Sequence, residues 1–296
     1  MTKRSFKMTK RKSEIEDQIV NKNPKQTSKT ESKTWGTLTE TFNQHKLNYI
    51  LNNTTFMKEL NNLQGDDGID YLKITKEYLA KSRCGTIEVE YSQTKKIENF
   101  VGRKFAKGSL SMQTISRKIR HSIADNKHLD LDLKNAGCKI VECMMDKMGV
   151  NVPWLEDFNN NRELKLSELE VSRDVAKKAI SSLLSGGKRD YRNIKNKPQW
   201  LEDLEYEISC IHDHLEKTHA DFEAFRKEKL LEKTQNNDYN IQGKFLNFLI
   251  IKMEDDILMS VYKFLKEPKN CVLCFDGLQV LASEYDSNQD YINGGV

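Results

Sequence analysis

Proline, long apolar runs and a secretory leader are what this sequence most clearly lacks. It contains four prolines in 296 residues, and since proline interrupts helices, their scarcity favours a helix-rich chain. The longest apolar stretch, residues 245–251, is broken by Asn247 and ends before Lys252. A membrane-spanning helix needs roughly 18 or more apolar residues, and the lysine-rich N-terminus has no apolar segment of the kind that secretory signals carry. These absences predict an intracellular protein without a membrane as partner.

Cysteine is also sparse, with six residues scattered along the chain. Small secreted domains that depend on disulfides are dense in cysteine, so this distribution predicts reduced thiols inside the protein. With 37% hydrophobic and 31% charged residues, the chain is long enough for one large domain or two small ones with a sizeable core. The net charge of +4 by itself says little about nucleic acid.

Positive charge is concentrated in residues 1–34, which have few apolar side chains. A segment that cannot bury apolar surface does not fold alone, so we expect a disordered basic arm. Three roles stay open for it: nucleic-acid binding, a nuclear address, or a solvated tail. Its cations include Lys3, Arg4, Lys7, Lys10, Arg11 and Lys12.

Apolar spacing divides the rest of the chain into two regions. Residues 35–84 repeat apolar side chains at helical intervals and predict a helical N-terminal region of two or three helices. In residues 85–296, segments with strand-like alternation, such as TIEVEY, are followed by long helical patterns at 164–184 and 241–265. We therefore predict an α+β fold that is helix-rich and contains a small antiparallel sheet.

The segment 271–280 predicts a tight β-hairpin. Two apolar runs flank Asp276 and Gly277, and Asp-Gly between apolar runs is a strong hairpin signal. The Asp276 carboxylate is then at the tip, where it is expected to face water, a cation or a hydrogen-bond donor because burying it is costly. The alternative is that Asp276 serves only the turn, since turns favour Asp and Gly for backbone reasons.

A second acidic pattern lies in the segment HLDLD, residues 128–132. Leucines alternate with Asp130 and Asp132, so on a strand both acids project from one face, about 7 Å apart. Two carboxylates on one face repel each other unless a cation lies between them, and hard oxygen ligands are what a divalent metal ion requires. The alternative is an amphipathic edge strand whose acids are solvated.

Basic residues form two groups in the second region. Arg173 and Lys177 lie one turn apart on one face of the predicted helix 164–184, which suits a triphosphate clamp and equally a solvated stripe. Residues 103–120 are dense in lysine and arginine, as is the connector 188–197. Such density is typical of a groove that binds phosphates, although a solvated loop also tolerates it.

Four segments, in this order, resemble the motifs of the family A DNA polymerases, of the bacterial polymerase I and related bacteriophage type. GRKFAKGSLSMQTISRKIR resembles the family's GR...IR stretch, LDLDLKNAG its motif A, RDVAKKAISSLLSGG its fingers helix, and FDGLQV its motif C hairpin. NIQG resembles the opening of the helix before motif C, and the likeness covers about residues 85–283. The chain departs from the family pattern at Ser181, Ser185, Phe275 and Gly277.

The resemblance implies a palm with a helical fingers subdomain over residues 85–296, and the activity of a template-directed DNA polymerase, a nucleotidyltransferase. It implies two Mg²⁺ ions, with Asp130 and Asp276 as catalytic aspartates and Asp132 as a further metal ligand. Either Asp130 or Asp132 fits the motif A acid; Asp130 is preferred because Asn135 then follows at the position of the family's glutamate. The implied nucleotide-binding residues are Arg173, Lys177 and Asn135, and the implied nucleic-acid-binding residues are Arg103, Gln113, Arg120, Lys188, Arg189 and Arg192.

The implied partners are a DNA primer-template, deoxynucleoside triphosphates, and a helicase or other replication proteins of a virus or mobile element. The nucleus or a viral replication compartment is the corresponding location, and the chain is expected to be one part of a larger protein. Three alternatives stay open: a primase of the archaeo-eukaryotic type, a nuclease that uses the same acids, and a catalytically degenerate palm that binds nucleic acid. The choice between DNA and RNA as template, and the need for a primer, are open as well.

Overall fold

The computed structural model describes residues 31–63, 70–97, 100–187, 190–231 and 240–286. It confirms the helix-rich α+β prediction, because helices surround two small antiparallel sheets. The strands are β1 (Glu31–Thr41), β2 (Thr86–Ile97), β3 (Phe100–Ala106), β4 (His128–Asp132), β5 (Cys271–Cys274) and β6 (Gly277–Leu281). The helices are α1 (Gln44–Asn52), α2 (Thr54–Leu63), α3 (Tyr71–Lys81), α4 (Arg117–Ala124), α5 (Ala136–Lys147), α6 (Pro153–Asn160), α7 (Arg162–Ser167), α8 (Arg173–Leu184), α9 (Gln199–Thr218), α10 (Phe222–Leu231), α11 (Ile241–Phe264) and α12 (Ala282–Asp286).

The N-terminal sheet has the strand order β1-β2-β3, and both pairs are antiparallel. The helical prediction is wrong for residues 35–41, which lie in β1. Leu38 and Glu40 on this strand, and Phe42 just after it, are buried, whereas the intervening threonines are exposed or half-buried, and such alternation is that of a strand. Because β1 pairs with β2, the predicted boundary after residue 84 falls within one sheet.

The predicted basic arm lies mostly outside the described residues, since these begin at residue 31. Residues 31–34, which the arm was expected to include, open β1. Beyond β1 the predicted N-terminal helices are present as α1, α2 and α3. A side chain caps the start of each: the Asn43, Asn53 and Asp70 side chains accept hydrogen bonds from the backbone N–H groups of Lys46, Phe56 and Lys73. These bonds satisfy donors that a helix start leaves unpaired.

The second sheet has the order β4-β6-β5, with β6 hydrogen-bonded on both edges. All residues of β5 are buried, as are the residues of β6 before Leu281. The sheet is therefore held in the core on the hairpin side, while β4 carries alternating exposed acids at one edge. This arrangement pairs residues that are 145 to 153 positions apart in the chain.

Helix α11 links the two hydrophobic cores of the described chain. Its first half, with Phe245 and Leu249, packs among α5, α6, α8, α9 and α10. Its second half, with Leu258 and Tyr262, packs in the core that contains both sheets. The sites carried by the sheet and by the helices are thus positioned by one shared helix.

Two smaller predictions are corrected by the structure. The single helix predicted for residues 164–184 is divided into α7 and α8, because Glu170 between them has a φ of +51° and Ser172 caps α8. The cysteines are all free, as predicted, but only half of them are inside the protein: Cys138, Cys271 and Cys274 are buried, and Cys84, Cys143 and Cys210 are exposed.

Candidate functional site

Asp276 lies in the turn of the predicted hairpin. Strands β5 and β6 pair at Cys274 and Gly277, so Phe275 and Asp276 form the two-residue turn, in place of the predicted Asp276-Gly277. Gly277 instead opens β6, where an added Cβ atom would lie 2.9 Å from the backbone oxygen of Leu131. The close approach of β4 therefore explains why position 277 needs glycine.

The acids of β4 lie beside this turn. Asp130 and Asp132 alternate with leucines along the strand, and Asp132 is paired directly opposite Gly277, next to Asp276. Asp130 lies farther along the strand, where its Oδ2 atom is 3.4 Å from Nε2 of His121. Asp132 is thus the β4 acid closer to the turn, and the preference for Asp130 as the principal metal ligand stays a prediction.

A cavity of about 600 Å³ opens at the end of the hairpin. It brings together predicted site residues from three parts of the chain, and Asp130 is not among its lining residues. The predicted site residues that line it are Asp132, Asn135, Arg173, Lys177 and Asp276. Further charged side chains at its wall are Arg117, Lys134, Arg162 and Glu254. Acids and cations thus face one shared space.

The acids repel one another in this space. Burial raises the pKa of the Asp132 carboxyl, and the nearby charges of Asp276 and Asp130 raise it further. The charge of Arg117 and a hydrogen bond from the Leu133 backbone N–H lower the pKa of Asp132 and so oppose this rise. A cation placed between Asp132 and Asp276 would relieve this repulsion.

Glu254 on α11 adds a third carboxyl to the wall of the cavity. Its side chain is almost fully buried and is bonded by Arg103 Nη2. Burial raises the pKa of Glu254, the hydrogen bond and charge of Arg103 oppose that rise, and Asp276 adds to it. The arginine is therefore the group that compensates this buried acid.

The cationic wall is formed at the starts of α7 and α8. Arg173 is held by Glu163 in a two-point ion pair, with 2.9 Å from Nε to Oε2 and 2.8 Å from Nη2 to Oε1. Arg162 also donates to Glu163, at 3.0 Å, so two arginines share one carboxylate. Lys177 makes no ion pair with any residue that the structure describes. A net positive charge remains here for an anionic ligand.

Asn135 stands at the start of α5 with a left-handed backbone conformation, φ +58°. Its side-chain amide donates to Oδ1 of Asn159 at 2.5 Å, so its donor side is turned to α6. The residue nevertheless lines the cavity, and its predicted contact with a nucleotide stays a prediction.

Three residues predicted to bind nucleic acid make hydrogen bonds within the protein, and their predicted contact with nucleic acid stays a prediction. Gln113 is buried, and its amide bonds the backbone at Lys104, Ala106 and Leu273. The amide thus ties β3 to β5, which leaves it no free group for a ligand. Arg103 is bound to Glu254, as described above. Arg120 is half-buried and donates to the Met112 backbone oxygen at 3.3 Å.

The remaining basic predictions fall on or near the connector after α8. Arg192 is exposed on a short 3-10 turn and does not line the cavity. Lys188 and Arg189 lie outside the described residues. A role for these three residues in nucleic-acid binding stays a prediction.

Sequence reasoning missed Arg117, Arg162 and Glu254 as residues of the cavity. Arg117 belongs to the basic stretch 103–120, so its charge was visible but its place beside Asp132 was not. Glu254 has a clearer signal, since it stands with Asp255 inside a strongly apolar helix, and acids are rarely buried without a partner. Arg162 has no comparable signal in the sequence.

The donors at the cavity suit a hard divalent cation. Within the described ranges, no three His, Cys, Asp or Glu side chains are grouped so that they could hold a metal ion, so the predicted site for two Mg²⁺ ions stays a prediction. Mg²⁺, however, is commonly bound by one or two carboxylates together with phosphate oxygens and water. Asp132 and Asp276 are a donor pair of that kind.

Comparison with known proteins gives one informative similarity. The chain is 29% identical over 223 residues to the Sputnik virophage protein named "Putative helicase V13". The matched region makes up 70% of this chain and 28% of the virophage protein. No protein-family model matches the chain, and no solved structure matches it. Among the helices that the structure describes, none has the length and apolar character to cross a membrane.

This similarity corrects the predicted function. The relative is named as a putative helicase, which overturns the expectation of a template-directed DNA polymerase. The resemblance of four motifs to family A polymerases stays a prediction, since no comparison returned that family. The chain spans about 28% of the relative's length, so the similarity is to one part of a viral protein named as a putative helicase.

Proposed function

We propose that this chain is a module of a viral replication protein and that its cavity binds a nucleoside triphosphate together with Mg²⁺. The observation that carries the proposal is the meeting of Asp132 and Asp276 with Arg173 and Lys177 around one cavity. Helicases as a class are driven by nucleoside triphosphates, so the name of the virophage relative supports the same ligand. Nucleic acid is the proposed macromolecular partner on the same ground.

The two walls of the cavity bind different parts of such a ligand: one contacts the phosphates, and the other contacts the metal ion. Arg173 presents a planar fork that suits phosphate oxygens, and Lys177 presents a mobile point charge. Asp132 and Asp276 offer oxygen ligands for a hard cation. When bound, Mg²⁺ would neutralise phosphate charge between the two walls.

Glu163 orients the arginines of the cationic wall and neutralises part of their charge before a ligand binds. It holds Arg173 by two hydrogen bonds and Arg162 by one, so the guanidinium groups are oriented while part of their charge is uncompensated. An entering triphosphate competes with Glu163 for these donors. We expect Glu163→Gln to strengthen the binding of inorganic tripolyphosphate.

The experiment is a titration of the full 296-residue chain with ATP, with and without Mg²⁺, by calorimetry. Lys177→Ala should weaken binding about tenfold, since one charge-assisted contact to phosphate is lost. Lys178→Ala is the matched control, because Lys178 is the next lysine on α8, is exposed and does not line the cavity. Asp276→Asn should remove the effect of Mg²⁺ on binding.

Two results would contradict this proposal. The first is a wild-type chain that binds no ATP in the presence of Mg²⁺. The second is equal weakening by Lys177→Ala and Lys178→Ala, which would mean that general surface charge, not the cavity, attracts the nucleotide. Phosphate release in the presence of single-stranded nucleic acid then tests for the hydrolysis that a helicase-type role requires.

A further inference from the structure

The turn that carries Asp276 holds its first residue in a strained backbone conformation. Phe275 has a φ of +60°, a region that favours glycine and is uncommon for a bulky side chain. Such a conformation is unfavourable by itself and persists only where the surroundings fix it. The contacts of Phe275 are therefore what keeps Asp276 at its place in the turn.

Two neighbours on β3 hold the Phe275 ring. The ring of Phe105 packs edge-on against it with 5.8 Å between centroids, and the guanidinium carbon of Arg103 lies 5.9 Å from the ring centroid. Arg103 and Phe105 are two residues apart on the strand, so they project to the same face. Together they contact the ring and restrict its position.

Arg103 is itself fixed by Glu254 on α11. The Glu254 side chain is only 5% exposed, and a carboxylate buried to that degree needs a partner charge. Its hydrogen bond to Arg103 Nη2 supplies one and orients the guanidinium group toward the ring. Helix α11, strand β3 and the hairpin turn are thereby connected through consecutive contacts.

We infer that Arg103 and Glu254 are positioning residues for Asp276: their ion pair secures the Phe275 ring, and the ring secures the strained turn that presents the carboxylate to the cavity. This inference rests on the proposed cation binding at Asp132 and Asp276. It assigns to Arg103 a role inside the protein in place of the predicted contact with nucleic acid. It also explains why an acid and an arginine lie together beside the cavity.

The test measures Mn²⁺ binding to the full chain by calorimetry and, separately, thermal unfolding by circular dichroism. The main variant is Arg103→Gln with Glu254→Gln, which removes both charges and leaves no buried ion without a partner. We expect its melting temperature to stay near that of the wild type, while Mn²⁺ binds about 10- to 100-fold more weakly, the usual effect of losing a residue that orients a metal ligand.

Two further variants make the result specific. Phe275→Gly relaxes the backbone strain but removes the ring, so it should also weaken Mn²⁺ binding without lowering the melting temperature much. The matched control is Arg226→Gln with Glu223→Gln, an exposed arginine–glutamate pair on α10, which should bind Mn²⁺ as the wild type does. Restoring arginine alone in the double variant leaves affinity low, since Arg103 then lacks its partner.

The outcomes separate this inference from the proposed function. A wild-type chain that binds no Mn²⁺ overturns this inference, whereas the proposed function is decided separately by the ATP titration. A wild type that binds Mn²⁺ with the same affinity as the Arg103/Glu254 double variant and Phe275→Gly overturns the positioning role alone. Weaker binding in both of those variants, with the surface-pair control unchanged, supports it.

Discussion

The carboxylates at the two sheets differ in the number of side chains that donate hydrogen bonds to them. Beside the N-terminal sheet, Glu40 is fully buried and accepts hydrogen bonds from Tyr78, Tyr91, Ser111 and the Met112 backbone N–H. At the second sheet, Asp132 and Asp276 line an open cavity, and within the described residues no side chain donates a hydrogen bond to either of them. One set of acids is satisfied by the fold, and the other set is not.

A second buried acid follows the pattern of Glu40. Asp255 is bonded by the Lys104 ammonium at 2.7 and 2.8 Å and by the Gln93 amide at 2.9 Å. It is the neighbour of Glu254 in the chain, yet it points to β2 and β3 and takes no part in the cavity. Carboxylates that are bonded by buried side chains thus hold the elements in place, while carboxylates that no side chain bonds are available for a ligand.

The greatest loss of stability is expected when the buried carboxylate of Glu40 is removed. Glu40→Ala leaves several buried donors without an acceptor, and at about 1–3 kcal/mol for each unsatisfied group the free energy of unfolding should fall by roughly 4 kcal/mol or more. The measurement is urea unfolding of the full chain. Glu88→Ala on β2 is the control, since Glu88 is exposed, and a loss at Glu40 as small as at Glu88 would contradict a structural role for the network.

A somewhat smaller effect is expected at the buried ion pair. Lys104→Met leaves Asp255 without its cation and should lower the free energy of unfolding by roughly 3 kcal/mol. The combined change with Asp255→Leu removes both charges and should recover most of that loss. If the double variant is no more stable than Lys104→Met alone, the cost arises from packing and the contrast between paired and unpaired acids loses this support.

The sequence predicted those parts of the site that depend on local alternation. The acids of β4 and the turn acid Asp276 were identified because side chains two apart share a face and because Asp-Gly marks a hairpin. The turn itself was shifted by one residue, since Gly277 is needed for the approach of β4 and not for the turn. Strand β1 was missed because Glu40 occupies a position on its buried face where an apolar residue is expected.

Residue spacing reports which side chains share a face, but it does not report what lies opposite that face. Arg103 and Gln113 had the composition of a phosphate-binding stretch, yet their partners are Glu254 and the backbone of β5, more than 150 residues later. The same limit applies to Arg162 and Arg117, whose place at the cavity depends on how α7 and α4 pack. Pairings across such distances are set by the tertiary fold.

A change of smaller size is expected at the cavity, in the titration of the Asp132 carboxyl. Its pKa lies above the ordinary value of 3.8 because burial, Asp276 and Asp130 disfavour the charged form. Protonated Asp132 therefore favours the folded state: that contribution to stability is fully present below pH 3.8 and is lost as the pH rises through the pKa of the folded state.

Asp276→Asn removes one of the repelling charges but not the burial. The pKa of Asp132, followed by carbon-13 NMR of its carboxyl carbon, should therefore fall while staying above its ordinary value. Saturating Mg²⁺ should lower it in the wild type, and Asp174→Asn, an exposed acid on α8, should leave it unchanged. A titration of Asp132 that neither Asp276→Asn nor Mg²⁺ moves would mean that the two acids do not share one field, and the distinction between satisfied and available carboxylates would then not describe this cavity.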